Sequence, residues 1–308
     1  MFVIGDLLNS LSQYILTICV TIIATMGISL IFKTSNTTNF AQGSIGSLGC
    51  YLVANLIIRW CPDVPGIQII GIIAGIVLGI LLGLIIDIGI FRRGKNVNAI
   101  GKQIITMGIV TLIIGGIPLI FGATPAPQLL PFISGNFAFD VGGTTVSITK
   151  HSLVCLGITV VVIAVLFVLL YKSKWGLGVR ATSANEVTAG IIGINTHVIT
   201  ATSWAIAAGL IVLASVMFAS GNATLNSIFM TQIQVNSFLG GILGGFSTFY
   251  GPIIGAIIIP VVTAIVGWIG IYADFFQKWC DVIVYVLFLI AVLIKPQGLF
   301  GKKVIKKV

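Results

Sequence analysis

Side chains able to do chemistry are sparse in this sequence, and their spacing does not suit it. Two histidines, His151 and His197, stand at the ends of different apolar stretches. With those ends on opposite sides of a bilayer, no metal site or His-based triad can form between them. Gly94-Lys95 through Gly101-Lys102 superficially resembles a phosphate-binding loop. That motif needs a glycine five residues before its Gly-Lys pair and a hydroxyl residue after it; Asn96 and Gln103 occupy those places. No nucleophile–base pair and no paired carboxylates are found. Asp87 is the one carboxylate well inside an apolar stretch, within about a turn of Arg92 and Arg93. Pairing with those bases explains it better than proton relay, and so little buried charge speaks against an ion-coupled carrier. The sequence is therefore read as no enzyme; any ATP used belongs to another chain, and this chain binds neither cofactor nor metal.

The elements around these residues explain the scarcity. Of 308 residues, 57% are apolar and 7% charged, and mean hydropathy is +1.17. A soluble domain carries roughly 25% charged residues. A water-facing shell cannot be built here, which excludes a soluble enzyme, a nucleic-acid binder and a secreted disulfide scaffold. The fold class is all-α, a polytopic helical membrane protein in one transmembrane domain over 1–308.

A span needs about 20 apolar residues to cross the roughly 30 Å hydrocarbon core. Candidates are 11–32, 39–58, 67–91, 103–121, 151–171, 198–219, 228–246, 252–270 and 281–295, about nine spans (eight to ten), with 228–246 the one most open to being broken or re-entrant. Basic residues orient them. Lys33, Arg92, Arg93, Lys95, Lys102, Lys172, Lys174, Arg180, Lys295, Lys302, Lys303, Lys306 and Lys307 fall on one side, leaving Arg59, Lys150 and Lys278 on the other. Asp6, Asp63, Asp140, Asp274 and Asp281 fall on that second side. This predicts N-terminus out, C-terminus in, and a basic cytoplasmic tail over 296–308. The N-terminus lacks the basic region of a cleavable signal, with Asp6 in its place. Cys19, Cys50 and Cys155 lie within spans. Cys61 and Cys280 lie near outer ends, where free thiols are the default and a disulfide the alternative.

Gly71, Gly75, Gly79 and Gly83 recur every four residues, so they stack along one helix face. Such a groove admits a neighbouring backbone, either within the bundle or between subunits. Three further stretches depart from plain spans. In 33–47, Asn39, Gln42, Ser44 and Ser47 bring amides and hydroxyls to a place where lipid exposure costs several kcal/mol each. They bond between helices or line a solute path. Residues 176–195 predict one short cytoplasmic helix of about three turns, ending at Gly193, whose smooth face suits a partner's groove. Its alternative is a merely interfacial helix. Residues 240–255, with Gly244, Gly245 and Pro252, predict a broken helix or a tight turn.

Together these residues resemble the permease subunits of ATP-binding-cassette importers for branched-chain amino acids. Asn39-Phe40-Ala41-Gln42-Gly43 is similar to that family's N-terminal signature, and Arg180-Ala181 through Ile192-Gly193-Ile194 to its cytoplasmic coupling loop. Gly244-Gly245-Phe246 to Gly251-Pro252, and Lys295 through Gly301, are similar to its closing motifs. Glu186 stands one place beyond the family's usual acid near Asn185, and Ser247 replaces a frequent glycine. The resemblance implies import driven by two cytoplasmic ATPases, which hold the ATP and Mg, with a second homologous permease and an extracytoplasmic solute-binding protein. It implies ATPase coupling through Arg180, Ala184, Asn185, Glu186, Ala189 and Gly193. The competing reading is a partner-independent channel or facilitator for a small solute such as urea, which gives no use for 176–195.

Overall fold

The computed structural model describes residues 2–61, 67–94, 97–122, 129–141, 143–221 and 225–301. Asp63, Lys95, Asn96, Lys302, Lys303, Lys306 and Lys307 lie outside the described residues.

Two helices form the centre. α2 (Ile15–Ser35) and α9 (Thr196–Ala219) pack along each other and are buried nearly all round. Their sequences are apolar or small on every face, as a helix with no water-facing side must be. α3 (Gln42–Asn55) and α4 (Ile67–Leu84) flank α9; α10 (Thr231–Gly244) and α11 (Gly251–Gly270) flank α2. α5 (Ala99–Phe121) lies against α3, α6 (Lys150–Lys172) against α2, and α13 (Cys280–Ile294) against α11. α12 (Asp274–Lys278) is a short link before α13. Each of the nine candidate segments coincides with a helix. Among the described residues six helices are long and apolar enough to cross a membrane; α3, α10 and α13 are not among them.

The glycines of α4 are what bring it close to α9. All four are buried. A Cβ at Gly79 would stand 2.8 Å from the Ala208 carbonyl, and one at Gly83 would stand 2.5 Å from that of Trp204. Gly75 meets α3 at the Val53 side chain and the Gly49 carbonyl, and Gly71 meets the Ile57 side chain in the π turn that follows α3. The ridge therefore faces this chain's own helices. The outward side of α4 exposes Ile69, Ile73, Val77 and Leu81.

The structure corrects the sequence reading in several places. The segment 11–32 does not start one helix: α1 (Phe2–Gln13) is separate from α2 and packs on a β-hairpin and α11. That hairpin, β1 (Asn136–Val141) with β2 (Thr144–Thr149), departs from an all-α chain. Its alternating Thr144-Thr145-Val146-Ser147-Ile148-Thr149 suits a strand, and Gly143 takes a positive φ of 89° at the turn. Ser12 Oγ donates to the Ser147 carbonyl at 2.9 Å, tying α1 to β2. Tyr272 donates to Asp6 at 2.9 Å, and that carboxylate pushes the phenol's pKa up. The predicted helix over 176–195 is two helices, α7 (Lys174–Ala184) and α8 (Glu186–Ile191). Asn185 breaks it because asparagine is a good N-cap: its Oδ1 accepts from the Thr188 amide at 3.0 Å. All five cysteines are free thiols.

Contacts sort the helix termini into two ends. At one, Lys33 Nζ donates to the Ser247 carbonyl at 3.0 Å, and Trp204 Nε1 to Ser35 Oγ at 2.9 Å. Arg92 donates there to the His197 carbonyl at 2.6 Å. At the other, His151 Nε2 bonds to the Met217 carbonyl and Tyr51 donates to the Leu225 carbonyl. His151 and His197 thus stand at opposite ends.

Candidate functional site

Two regions gather the residues singled out above. The first begins where α3 starts. Asn39 is buried, and its Oδ1 accepts from the Ala41 amide at 2.9 Å, closing the turn into the helix. Gln42 is buried too. Its Nε2 reaches the Ala24 carbonyl at 3.4 Å, over Gly27, where a Cβ would stand 2.3 Å from that nitrogen. Gln42 thus braces α3 against α2, while Asn39 holds the turn that leads into α3.

Ser44 and Ser47 are placed differently. With Phe40, Ser227, Thr231 and Gln234 they line a cavity of about 210 Å³ between α3, α5 and α10. Gln234 secures its floor: Oε1 accepts from the Gly43 amide at 2.6 Å, and Nε2 donates to the Phe40 carbonyl. A helix start leaves amides without partners, and this side chain satisfies one of them. Sequence reasoning missed Gln234, although Gln232, Gln234 and Asn236 in segment 228–246 are the same signal as Asn39 and Gln42. Gln232 bonds to Tyr285 of α13, which in turn donates to Asn236 at 3.3 Å. α10 therefore carries polar groups on two faces, Gln234 toward α3 and Gln232 with Asn236 toward α13.

At the foot of α10 the chain turns tightly into α11. Both helices approach with no side chain between them. A Cβ at Gly244 would lie 1.9 Å from the Gly251 carbonyl, and one at Gly255 would lie 1.9 Å from that of Gly240. Gly245 has a φ of 86°. The segment after α13 closes the corner, since Leu299 and Phe300 amides donate to the Leu243 and Gly244 carbonyls at 2.7 and 3.2 Å. Lys33 stands over the Phe249 ring at 4.4 Å, pinning α2 to the same corner.

The second region is the α7–α8 hairpin at the basic end. α7 is anchored, with Gly176, Gly178, Val179 and Thr182 buried. Gly176 passes so close to α6 that a Cβ would meet the Leu169 carbonyl at 2.3 Å. Arg180 is half-buried over the Tyr171 ring, at 5.3 Å. Ala184, Asn185 and Glu186 are exposed. Ala189 is not: it is 2% exposed and faces its own chain, which corrects its place among surface contacts. The exposed apolar residues of α8 and its C-cap are Val187, Ile191 and Ile192. Gly193 ends the hairpin at a φ of 89°.

Behind this hairpin α4 ends in π winding over Ile85–Phe91. Its wider turn bonds residues five apart, so Arg92 donates its amide to the Asp87 carbonyl at 3.1 Å. The same offset brings Arg92 to the Asp87 carboxylate at 3.0 Å, the pairing expected from the sequence. Among the described residues no cluster of three or more His, Cys, Asp or Glu is placed to hold a metal.

A bundle of helices this apolar, six of them among the described residues long enough to span, is that of a multi-pass membrane protein. Residues 10–293 match the family described as branched-chain amino acid transport system / permease component, and the chain belongs to that family. It is thus a transporter permease subunit of the cell membrane and not an enzyme. It is 24% identical to the high-affinity branched-chain amino acid transport system permease protein BraD of Pseudomonas aeruginosa, over 92% of each chain. Identity is also 24% to the probable branched-chain amino acid transport permease protein LivH of Methanocaldococcus jannaschii, over 91% of this chain and 88% of that one. It is 23% to the high-affinity permease LivH of Escherichia coli K12, over 92% of each. Among solved structures, PsaBC from Streptococcus pneumoniae in complex with Fab gives a TM-score of 0.48 at 13% identity, over 94% of this chain and 93% of that one.

Proposed function

We propose that this chain is the permease of an ATP-driven importer for branched-chain amino acids or related small polar solutes, working by alternating access. It pairs with a second homologous permease, takes solute from an extracytoplasmic binding protein and is driven by two cytoplasmic ATPases that hold ATP and Mg. The observation that carries this reading is α8. Exposed Val187, Ile191 and Ile192 stand on a helix pair whose other half, α7, is fixed in the bundle. An apolar helical face on a rigid mount suits a partner's groove. A partner-independent facilitator has no use for it.

The chain is read as one permease unit crossing nine times, with the basic end cytoplasmic. Lys33, Arg92, Arg93, Lys102, Lys172, Lys174, Arg180 and Lys295 gather at that end, as the positive-inside rule requires. In a background with Cys61 and Cys280 replaced, Asp140→Cys is expected to react with a membrane-impermeant maleimide on intact cells. Lys174→Cys is expected to react only after lysis. The opposite pattern overturns the orientation.

The solute path is assigned to the cavity of Ser44, Ser47, Thr231 and Gln234, with Gln42 bracing its α3 wall against α2 and Asn39 holding the turn into α3. Hydroxyls and amides at this depth are costly against lipid and are better spent on a hydrated path between the permeases. Ser47→Leu is expected to cut the initial rate of uptake at least tenfold while the permease accumulates normally, because a leucine fills the cavity. Wild-type uptake would remove the cavity from the path.

A further inference from the structure

At the basic end, between α4, α5, α8 and α9, lies a second cavity of about 510 Å³, within the roughly 300–1,000 Å³ of small-molecule sites. Its walls carry both signs of charge beside an apolar surface: Arg92, Lys102, Asp87 and Glu186 stand with Phe91 and Val97. The charges are not equivalent. Asp87 and Arg92 satisfy each other, the one ion pair among the described residues. Among the described residues Glu186 and Lys102 therefore face the cavity with no ion-pair partner, Lys102 standing 5.8 Å from the Phe91 ring. Arg92 Nε is buried with no hydrogen-bond partner among the described residues.

A simple anion would answer Lys102 and leave Glu186 opposed; a simple cation would do the reverse. The complement is a compact molecule with a carboxylate, an ammonium and a short apolar group. We propose that this cavity binds a zwitterionic aliphatic α-amino acid from the cytoplasm. Its carboxylate meets Lys102, its ammonium meets Glu186, and its side chain lies against Phe91 and Val97. Because Glu186 opens α8 while Lys102 belongs to α5, an occupied cavity ties the docking helix to the bundle and slows import as product accumulates. This second half rests on the importer reading; the binding does not.

The test is equilibrium binding of radiolabelled L-leucine to the full-length permease in nanodiscs. Leucinamide, which lacks the carboxylate, and 4-methylpentanoate, which lacks the ammonium, serve as competitors. Saturable L-leucine binding is expected, with both competitors at least tenfold weaker. Lys102→Gln is expected to weaken L-leucine at least tenfold without changing leucinamide. Glu186→Gln is expected to weaken L-leucine without changing 4-methylpentanoate. Absence of saturable binding, L-leucine affinity unchanged in both variants, or 4-methylpentanoate competing as well as L-leucine would overturn the site. In cells preloaded with L-leucine, initial uptake should fall for the wild type and not for Lys102→Gln. Equal slowing of both overturns the feedback. Normal import by a permease that does not bind L-leucine overturns this inference alone, whereas binding without import overturns the importer reading alone.

Discussion

A single methyl group at Gly244 or Gly255 is expected to eliminate the folded permease. In either case the new Cβ would stand 1.9 Å from a backbone carbonyl oxygen of the facing helix. A flexible side chain could move aside; a helix backbone moves only if α10 and α11 separate. Overpacking a helix contact costs about 1–3 kcal/mol where side chains can adjust, and here they are not what is struck. Separation would also open the Leu299 and Phe300 bonds to α10. Gly244→Ala and Gly255→Ala should therefore give little monodisperse protein on detergent size-exclusion chromatography. Gly157→Ala on α6 is the matched control, because nothing lies within 4 Å of its Cβ position. Relieving a helical glycine there gains about 0.5–1 kcal/mol, so its melting temperature should hold or rise. Normal yield from both corner variants would mean the two helices are further apart than described.

The second large effect is expected on α8. Ile191→Arg sets a long charged side chain on a face 80% exposed in the free chain, so the permease itself should fold and insert normally. If that face fills an ATPase groove, the charge is buried unpaired on assembly, which costs several kcal/mol. Co-purification of the ATPases should fall at least tenfold, and solute-stimulated ATP hydrolysis with it. Ala184→Arg, also exposed, should act in the same direction. Ala189→Arg is a different experiment, because that methyl points inward and the variant damages the hairpin. Gly193→Pro is excluded by geometry, since proline holds φ near −65° and this residue needs 89°. Full ATPase association in Ile191→Arg would leave α8 an interfacial helix.

What the sequence disclosed, and what it hid, follows from the range of each interaction. The ridge of Gly71, Gly75, Gly79 and Gly83 was legible because helical spacing alone puts it on one face. Its destination on α3 and α9 was not, since other helices supply the facing atoms. Asn39 and Gln42 were readable as groups that lipid would not solvate. That they spend their bonds on backbone while Ser44 and Ser47 line a cavity depends on where α10 lies. Gln234 reaches Gly43 across 191 residues, a pairing no local pattern reports. Asn185 was a local signal passed over: the cap that splits α7 from α8 is written in its residue type. The β-hairpin was passed over likewise, its threonine alternation hidden in a long connection between spans.

The segment after α13 has a consequence for how the chain is made. Leu243 and Gly244 at the end of α10 depend for their carbonyl partners on amides at Leu299 and Phe300, and Gly298 lies against Gly245. The α10–α11 corner is therefore left open while α11, α12 and α13 are still being synthesised and inserted. Until then those carbonyls face whatever the translocation machinery or water can offer. A ribosome stalled before residue 299 would leave an inserted bundle with the α10–α11 corner unlatched. The last contacts of this corner thus form only after α13, the last of the described helices, has been made.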